Sequence, residues 1–415
     1  MHKRPQVVVV GAGFGGLWTV RALAGSPVDV LLVDRNNYHT FSPMLYQVAA
    51  AQVGPEQITY PVRSILRKIR NADFLMAEVK HVDFTNRVVE TDGSEIPYNF
   101  LVLSTGSITQ FLNIPGSAEY AFPLDNLEQA LALRNQIFNC FEQAAYETDP
   151  KRRQQLLTFV IVGGGPTGVE MAGALLELIR ALRQDYPTID TRLARVLLLH
   201  SGNNLLPGMV PPHLQRYTLK RLQKMGVEVH LEAKAGAIAP DAVYLQDGKI
   251  IPTATAIWAV GVQADPIVEQ WGLPTTAKSK VTVRTTLQLS EYPEVYVIGD
   301  LAAVQKDGTP IPMVAPAAIQ QGTVAGRNIQ RQLVGKNPVT FNYWNKGTIA
   351  MIGRNAAAAQ VGKLTFTGFL AWISWLGVHL FYLPGFRNRL IVFFDWVRDY
   401  FFHVRSVRLI LRTPP

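Results

Sequence analysis

Two β-branched runs that each break into a glycine cluster and then open a helical stretch constrain this chain more than any other feature. Gln6 to Val10 leads into Gly11-Ala12-Gly13-Phe14-Gly15-Gly16 and a helical stretch from Leu17 to Ala24. Leu157 to Val162 leads into Gly163-Gly164-Gly165-Pro166-Thr167-Gly168 and a helical segment from Val169 to Arg183. Strand, glycine turn and helix together make a pyrophosphate cradle. The first glycine permits the tight turn, the second lets backbone approach the phosphates, and the last allows close helix–strand packing. The helix N-terminus supplies unpaired N–H groups. Two such units predict an α/β chain with two Rossmann-like dinucleotide-binding domains. One unit can hold FAD while the other presents NADH or NADPH to it.

The two units differ at the acid that follows the second strand. Val28 to Val33 ends in Asp34, 23 residues after Gly11, in register for a ribose hydroxyl. Arg195 to Leu199 is followed instead by His200 and Ser201. A carboxylate there would repel a ribose 2′-phosphate, whereas His and Ser tolerate or bond it, so NADPH is expected to be at least accepted. The alternative keeps NADH as the preferred nucleotide, with another residue holding its 2′-hydroxyl. Glu170 reads as a first-turn residue of the second helix. It either stabilises the helix dipole or contacts the nicotinamide or a proton path beside the flavin.

Composition narrows the class. At 415 residues the chain has room for two or three domains. With 48% hydrophobic and 17% charged residues it is neither disordered nor fibrous, and the apolar excess needs a location. Cys140 is the single cysteine, so no intramolecular disulfide or CxxC pair exists. The eight histidines form no His-x-x-x-His pair, and no metal site is expected. The formal charge of +9 favours an anionic partner, whether nucleic acid, anionic lipid or phosphorylated cofactors, and charge alone does not choose among them; the motifs set the expectation of phosphorylated cofactors and anionic lipid without nucleic acid. The polar start, Met1 to Pro5, lacks a signal-peptide core, which places the expectation on the cytosolic side.

These units, with Asp34-Arg35-Asn36-Asn37-Tyr38-His39-Thr40-Phe41-Ser42-Pro43-Met44-Leu45-Tyr46 after the first, resemble the type II NADH:quinone oxidoreductases. The likeness continues through Ser104-Thr105-Gly106, Trp258-Ala259-Val260-Gly261, Val295-Tyr296-Val297-Ile298-Gly299-Asp300 and Gly368-Phe369-Leu370-Ala371-Trp372. It implies a glutathione-reductase-like flavoprotein that passes hydride from NAD(P)H to flavin and two electrons to a membrane quinone, without proton pumping, in a respiratory chain. The implied FAD contacts are Gly11, Gly13, Phe14, Gly15, Gly16, Asp34, Arg35, Thr105, Gly106, Asp300 and Ala317. Those for the nicotinamide nucleotide are Gly163, Gly165, Thr167, Gly168, Glu170, His200 and Gly261.

The family's quinone signature, Ala-Gln-x-Ala-x-Gln, stands here as Ala315-Pro316-Ala317-Ala318-Ile319-Gln320, followed by Gln321. Pro316 replaces a glutamine and so removes one polar contact. Gln320 is then the expected hydrogen-bonding residue at the quinone, with Pro316 and Gln321 beside it; a surface glutamine is the bland reading. The resemblance implies discontinuous domains: 1–120 and 276–345 for FAD, 121–275 for NAD(P)H, and 346–415 for membrane association. Thr148 to Gln155 reads as a surface connection. A sulfide:quinone oxidoreductase is disfavoured by the lone cysteine. A membrane-associated flavin sensor or scaffold, and a reductase of another acceptor, stay open, as does a homodimer.

Leu364 to Phe386 is almost wholly apolar, yet Gly377, His379, Pro384 and Gly385 interrupt it and its aromatics are spread along its length. A monotopic interfacial helix fits better than a bilayer span. From Arg387 to Arg412 six arginines face two aspartates, and Arg398, Arg405, Arg408 and Arg412, spaced seven, three and four apart, would share one helical face toward anionic headgroups. Packing of that helix on its own domain or on a second subunit is the alternative.

Overall fold

The computed structural model describes residues 4–276, 278–402, 405 and 407–411. The chain forms two compact units. The first joins residues up to Thr40 with Tyr60–Ile108 and Val262–Lys346; the second joins Phe41–Thr59, Thr109–Gly261 and the segment from Gly347 onward. These divisions differ from the expected ones chiefly because residues 41–59 and the C-terminal segment both belong to the second unit.

Each unit is built on a five-stranded parallel sheet. In the first, the strand order is Val295–Val297, Phe100–Leu103, Gln6–Val10, Asp29–Asp34, Ala72–Met76. In the second it is Ala121–Pro123, Thr255–Trp258, Thr158–Val162, Arg195–Leu199, Glu228–His230. The central strands are apolar throughout because both faces of a parallel sheet are covered; Val7, Val8, Val9, Val160 and Ile161 are fully buried. Each unit also carries a three-stranded antiparallel sheet, Val79–Asp83 with Val88–Thr91 and Glu95–Pro97, and Ala235–Ile238 with Ala242–Leu245 and Ile250–Pro252.

Small residues set the closest helix packing of the first unit. The helix Phe14–Ala22 crosses the helix Ala315–Leu333 where a Cβ on Gly322 would lie 2.2 Å from the Gly15 carbonyl oxygen. Nothing larger than glycine fits without separating the helices. The Thr19 hydroxyl lies 3.0 Å from Gly15 O and 3.1 Å from Gly322 O, closing the crossing with a buried donor.

The C-terminal segment adds a three-stranded sheet, Thr348–Gly353, Ala356–Val361 and Leu364–Thr367, followed by helices Gly368–Tyr382 and Phe386–Phe402. The apolar stretch from Leu364 therefore begins as a strand paired with its neighbour, and only its remainder is helical. No helix among the described residues is long and apolar enough to cross a membrane. The expected arginine stripe is corrected. Helix Phe386–Phe402 stops before Arg405, whose side chain is 1% exposed and paired with Glu177 and Asp399. Arg408 pairs with Asp185, and Arg412 lies outside the described residues. Helical spacing says nothing once the helix has ended. The surface connection expected from Thr148 to Gln155 is exposed or half-buried throughout, and most of it is helical, Pro150–Leu156, capped by the Asp149 carboxylate on the Lys151 N–H.

Candidate functional site

The first cradle is shaped by backbone that only glycine can adopt. Gly11 has φ +101°, and a Cβ there would meet the Ser104 carbonyl oxygen at 2.3 Å; one on Gly16 would meet the Gly11 oxygen at 1.9 Å. Gly13, by contrast, faces open space, as a phosphate-approach position requires. No side chain caps the helix Phe14–Ala22, so its N-terminal N–H groups are left for an anion.

Asp34 turns back onto this loop, where its carboxylate accepts the Ala12 N–H at 2.6 Å and the Asn36 N–H at 2.8 Å. Burial raises its pKa against those bonds. His39 bonds the Ala12 carbonyl at 2.9 Å through Nδ1, and its ring meets Phe14 edge-on. Burial pushes His39 down to about 4, so it is a neutral donor that fixes the turn. Sequence reasoning missed it, although it stands inside the quoted motif. Arg35 is exposed.

Asp300 follows Gly299, whose φ is +73°, and accepts the Ser107 hydroxyl at 2.7 Å. Burial raises its pKa, opposed by Ser107 and the Lys280 cation. The Thr105 hydroxyl oxygen is buried without a partner. Open glycine, uncapped helix and orphaned hydroxyl in one unit are what a bound dinucleotide would satisfy. FAD fits the residues of this site. Gly106, with φ +86°, accepts the Asp265 N–H at 3.2 Å, and Ala317 is buried.

Two expected quinone contacts are engaged elsewhere. Gln320 donates through Nε2 to the carbonyls of Pro316 and Trp344 and accepts the Trp344 N–H at 2.9 Å, which uses its whole amide. It clasps the segment around Trp344 instead of offering a free donor. Gln321 accepts the Gly299 N–H at 2.6 Å and so braces the Asp300 turn. Pro316 lies in the first turn of its helix, where its missing N–H costs nothing.

The second cradle repeats the first. Gly163 has φ +120° and its Cβ would lie 2.1 Å from the Ala259 oxygen; a Cβ on Gly168 would lie 1.8 Å from the Gly163 oxygen, while Gly165 is open. The helix Pro166–Leu182 starts without a side-chain cap, with Thr167 in its first turn. His200 accepts the Gly164 N–H at 3.2 Å through Nδ1, which leaves the ring proton on Nε2. Burial lowers its pKa, opposed by the Asn204 backbone. Gly261, with φ +136°, accepts the Gln110 N–H at 3.0 Å.

Glu170 belongs to the second turn of that helix, not the first. It accepts the Met351 N–H at 3.1 Å from the strand Thr348–Gly353. The Trp375 indole N–H lies on the same side without closing a bond of ordinary geometry. Burial raises Glu170 to about 8, against the pull of these donors. The dipole-stabilising reading is thereby replaced: at neutral pH this is largely a neutral acid. It lines a cavity of about 50 Å³ with Tyr46, Gln47, Glu177, Arg354 and Asp399. Tyr46 accepts Gln47 Nε2 at 3.2 Å, and Gln47 accepts the Trp396 N–H at 3.0 Å. His379, stacked on Trp375 with ring centroids 3.6 Å apart, is pushed down to about 4 by burial.

Two like cradles, each at the carboxyl end of a parallel sheet, define a two-dinucleotide oxidoreductase. The pyridine nucleotide-disulphide oxidoreductase family matches residues 5–322, and the NDH2 C-terminal domain matches residues 345–404. Type II NADH:quinone oxidoreductase Ndh of Mycobacterium tuberculosis is 36% identical over 410 residues, 95% of this chain and 88% of that one. The Staphylococcus haemolyticus type II NADH:quinone oxidoreductase is 28% identical, over 88% of this chain and 92% of its own. The solved NDH2 from Plasmodium falciparum in complex with NADH has a TM-score of 0.89 over 99% of this chain and all of that one, at 18% identity. The sulfide:quinone oxidoreductase of Aquifex aeolicus shares the fold at a TM-score of 0.76, over 96% of each chain and with 21% identity. The chain belongs to the type II NADH:quinone oxidoreductase family.

Proposed function

We propose that this protein is a flavin-dependent NADH:quinone oxidoreductase that holds FAD in its first unit and NADH in its second, accepts NADPH as well, and works on a membrane surface. The repetition of an open, uncapped glycine cradle in both units carries this reading. FAD, when bound, supplies the two-electron relay between nicotinamide and quinone. The protein's part is orientation and proton supply. Gly11, Gly13, Gly16 and Thr105 hold the flavin nucleotide, while Ser107 and Lys280 keep Asp300 placed. Gly163, Gly165 and Gly168 hold the nicotinamide nucleotide, and His200 puts no negative charge where a 2′-phosphate would lie.

Reduction of a quinone consumes two protons, and hydride brings one. Glu170, an acid with a pKa of about 8, is suited to donate the other near neutral pH. Pro316 leaves the quinone pocket one amide poorer, and Gln320 serves it by holding Trp344 in place. The exposed aromatic side chains of the C-terminal helices, among them Phe381, Phe394 and Phe402 at 64 to 71% exposure, form the membrane contact. Anaerobic bleaching of the flavin by NADH and by NADPH, followed by addition of a short-chain quinone, tests the reading. Reoxidation is expected; a flavin that bleaches but no quinone reoxidises would instead favour a sensor or another acceptor.

A further inference from the structure

The helix Pro212–Met225 holds Arg216, Lys220, Arg221 and Lys224 and no acidic residue. Its buried positions, Leu214, Thr218 and Leu222, are spaced four apart along one side. Arg216, Lys220 and Lys224 repeat that spacing two residues on, which at roughly 3.6 residues per turn carries them to the opposite side. All three are exposed, and none has an ion-pair partner among the described residues. Arg221 lies between the two sides, half-buried, and donates to the Arg354 carbonyl at 3.3 Å. The helix itself does not account for this face. Like charges four residues apart repel, so the steps from Arg216 to Lys220 and from Lys220 to Lys224 both weaken the helix. A carboxylate in the first turn would relieve them and suit the dipole, and there is none; only Lys224, in the last turn, is placed where the dipole favours a cation. The face is complementary to negative charge from outside the chain.

This basic side adjoins the apolar part of the C-terminal segment. His213, seven residues before Lys220 and so on the same side of the helix, meets the Thr365 hydroxyl at 3.0 Å through Nε2, and Thr365 belongs to the strand Leu364–Thr367. The Tyr217 hydroxyl stands 3.9 Å from where a Cβ on Gly368 would lie, and Gly368 opens the helix Gly368–Tyr382. Around this junction Leu364, Phe369 and Leu370 are 73%, 54% and 61% exposed. Lys363, exposed in the turn just before the strand, adds a fourth cation. Cations beside exposed apolar side chains are the division of an interfacial surface, with ammonium and guanidinium groups at the headgroups and the apolar groups at the acyl boundary.

We propose that the helix Pro212–Met225 is a headgroup contact for acidic phospholipids, in which Arg216, Lys220 and Lys224, joined by Lys363, bind lipid phosphates while Leu364, Phe369 and Leu370 enter the bilayer surface beside them. The inference rests on the membrane-surface reading above and adds to it a polar contact outside the C-terminal helices. The anionic headgroups that the spacing of the tail arginines suggested are met here by a helix that exists, with its cations on one side and its apolar positions packed on the other.

The test co-sediments full-length holoenzyme with vesicles of phosphatidylcholine alone and of phosphatidylcholine mixed with phosphatidylglycerol, at equal salt. The parent protein should bind the mixed vesicles more tightly. The triple variant Arg216→Gln, Lys220→Gln, Lys224→Gln should lose about five-fold per cation, on the order of 10²-fold in all, on the mixed vesicles. It should keep parental binding to phosphatidylcholine alone and show a shallower salt dependence. Arg67→Gln, Lys68→Gln, Arg70→Gln removes three exposed cations from the first unit and should bind both vesicles as the parent does, which separates a site from net charge. Flavin reduction by NADH should be little changed in either variant. If the first triple variant does not retain its flavin, Lys220→Gln alone decides, at about five-fold on the mixed vesicles. Parental binding of the first variant to the mixed vesicles, an equal loss in the second, or a parent protein indifferent to phosphatidylglycerol overturns the headgroup contact and leaves the membrane reading standing. A parent protein that binds neither vesicle overturns both.

Discussion

Glu170 accepts the backbone N–H of Met351 at 3.1 Å, a bond between the helix that opens the nucleotide cradle and the first strand of the C-terminal segment. One carboxyl therefore has two duties, anchoring that strand and holding a proton in a buried place. Replacing it separates the two. Glu170→Gln keeps an oxygen for Met351 but has no proton to give, so quinone reduction should fall about 10²-fold, with flavin reduction by NADH little changed. Rapid-reaction kinetics of the two half-reactions check this, and equal losses in both would mean the residue acts on folding or nucleotide binding instead.

The same acid fixes a pH dependence. Its folded value, about 8, lies above the ordinary 4.5, so between these the folded chain binds the proton more tightly than the unfolded chain. This contribution to stability is complete below pH 4.5 and is lost as pH rises through 8. Activity should fall over the upper part of that range as the donor ionises. Glu170→Gln should lack both slopes, as thermal unfolding and kcat profiles between pH 5 and about 9 would register.

The cradles were legible in the sequence because their glycines answer to local geometry. A tight turn and a backbone contact near 2 Å demand glycine wherever the strand–turn–helix unit occurs. The site around Glu170 was not legible in that way. Its partners, Tyr46, Met351, Arg354 and Asp399, are far apart in sequence, and only the fold of the second unit gathers them. A signal existed in Glu170, Gly173 and Glu177, which share one helix face with the smallest residue in the middle, the mark of a closely packed neighbour. The arginine spacing of the tail misled because it presumed a helix that ends at Phe402. Gln320 was expected at the quinone from its place in the family's signature; the pairing with Trp344, 24 residues away, has no sequence periodicity to announce it.

Gly173→Ala should be among the most damaging small substitutions in the chain. Its Cβ would stand 1.9 Å from the Ile352 oxygen, a backbone atom that cannot swing aside, so the strand Thr348–Gly353 must move off the helix. The move breaks the bonds to Glu170 and Glu177 together. A loss of about 2–4 kcal/mol is expected, against the roughly 1 kcal/mol that Ala ordinarily gains over Gly inside a helix. Chemical denaturation measures it, and an unchanged midpoint would contradict the packing described.

Nucleotide choice turns on His200. Its Nδ1 takes the Gly164 N–H at 3.2 Å, and burial keeps the ring neutral, so the end of the strand Arg195–Leu199 presents neither a repelling carboxylate nor a full positive charge. NADPH should therefore be used, with kcat/KM below that for NADH by about ten-fold or less. His200→Glu places an acid where a 2′-phosphate would lie and should lower kcat/KM for NADPH at least another ten-fold, while that for NADH changes little. A wild-type enzyme inert with NADPH would contradict this account of the site.

The exposed aromatics of the tail make the membrane contact measurable one ring at a time. Phe394 and Phe402 are 64% and 71% exposed on the helix Phe386–Phe402, which is held by Asn388 bonding the carbonyls of Glu56 and Thr59 and by Gln57 bonding Asp395. Because neither exposed ring takes part in these bonds, Phe394→Ser and Phe402→Ser should leave folding stability nearly unchanged. Moving each ring from water into an acyl boundary is worth about 1.5 kcal/mol or more, so each substitution should weaken binding to anionic vesicles on the order of ten-fold. Raising the salt should weaken it further through the exposed Arg387. Vesicle co-sedimentation of the two variants beside the parent protein reads both effects, and unaltered binding in the double variant would assign the membrane contact to another face.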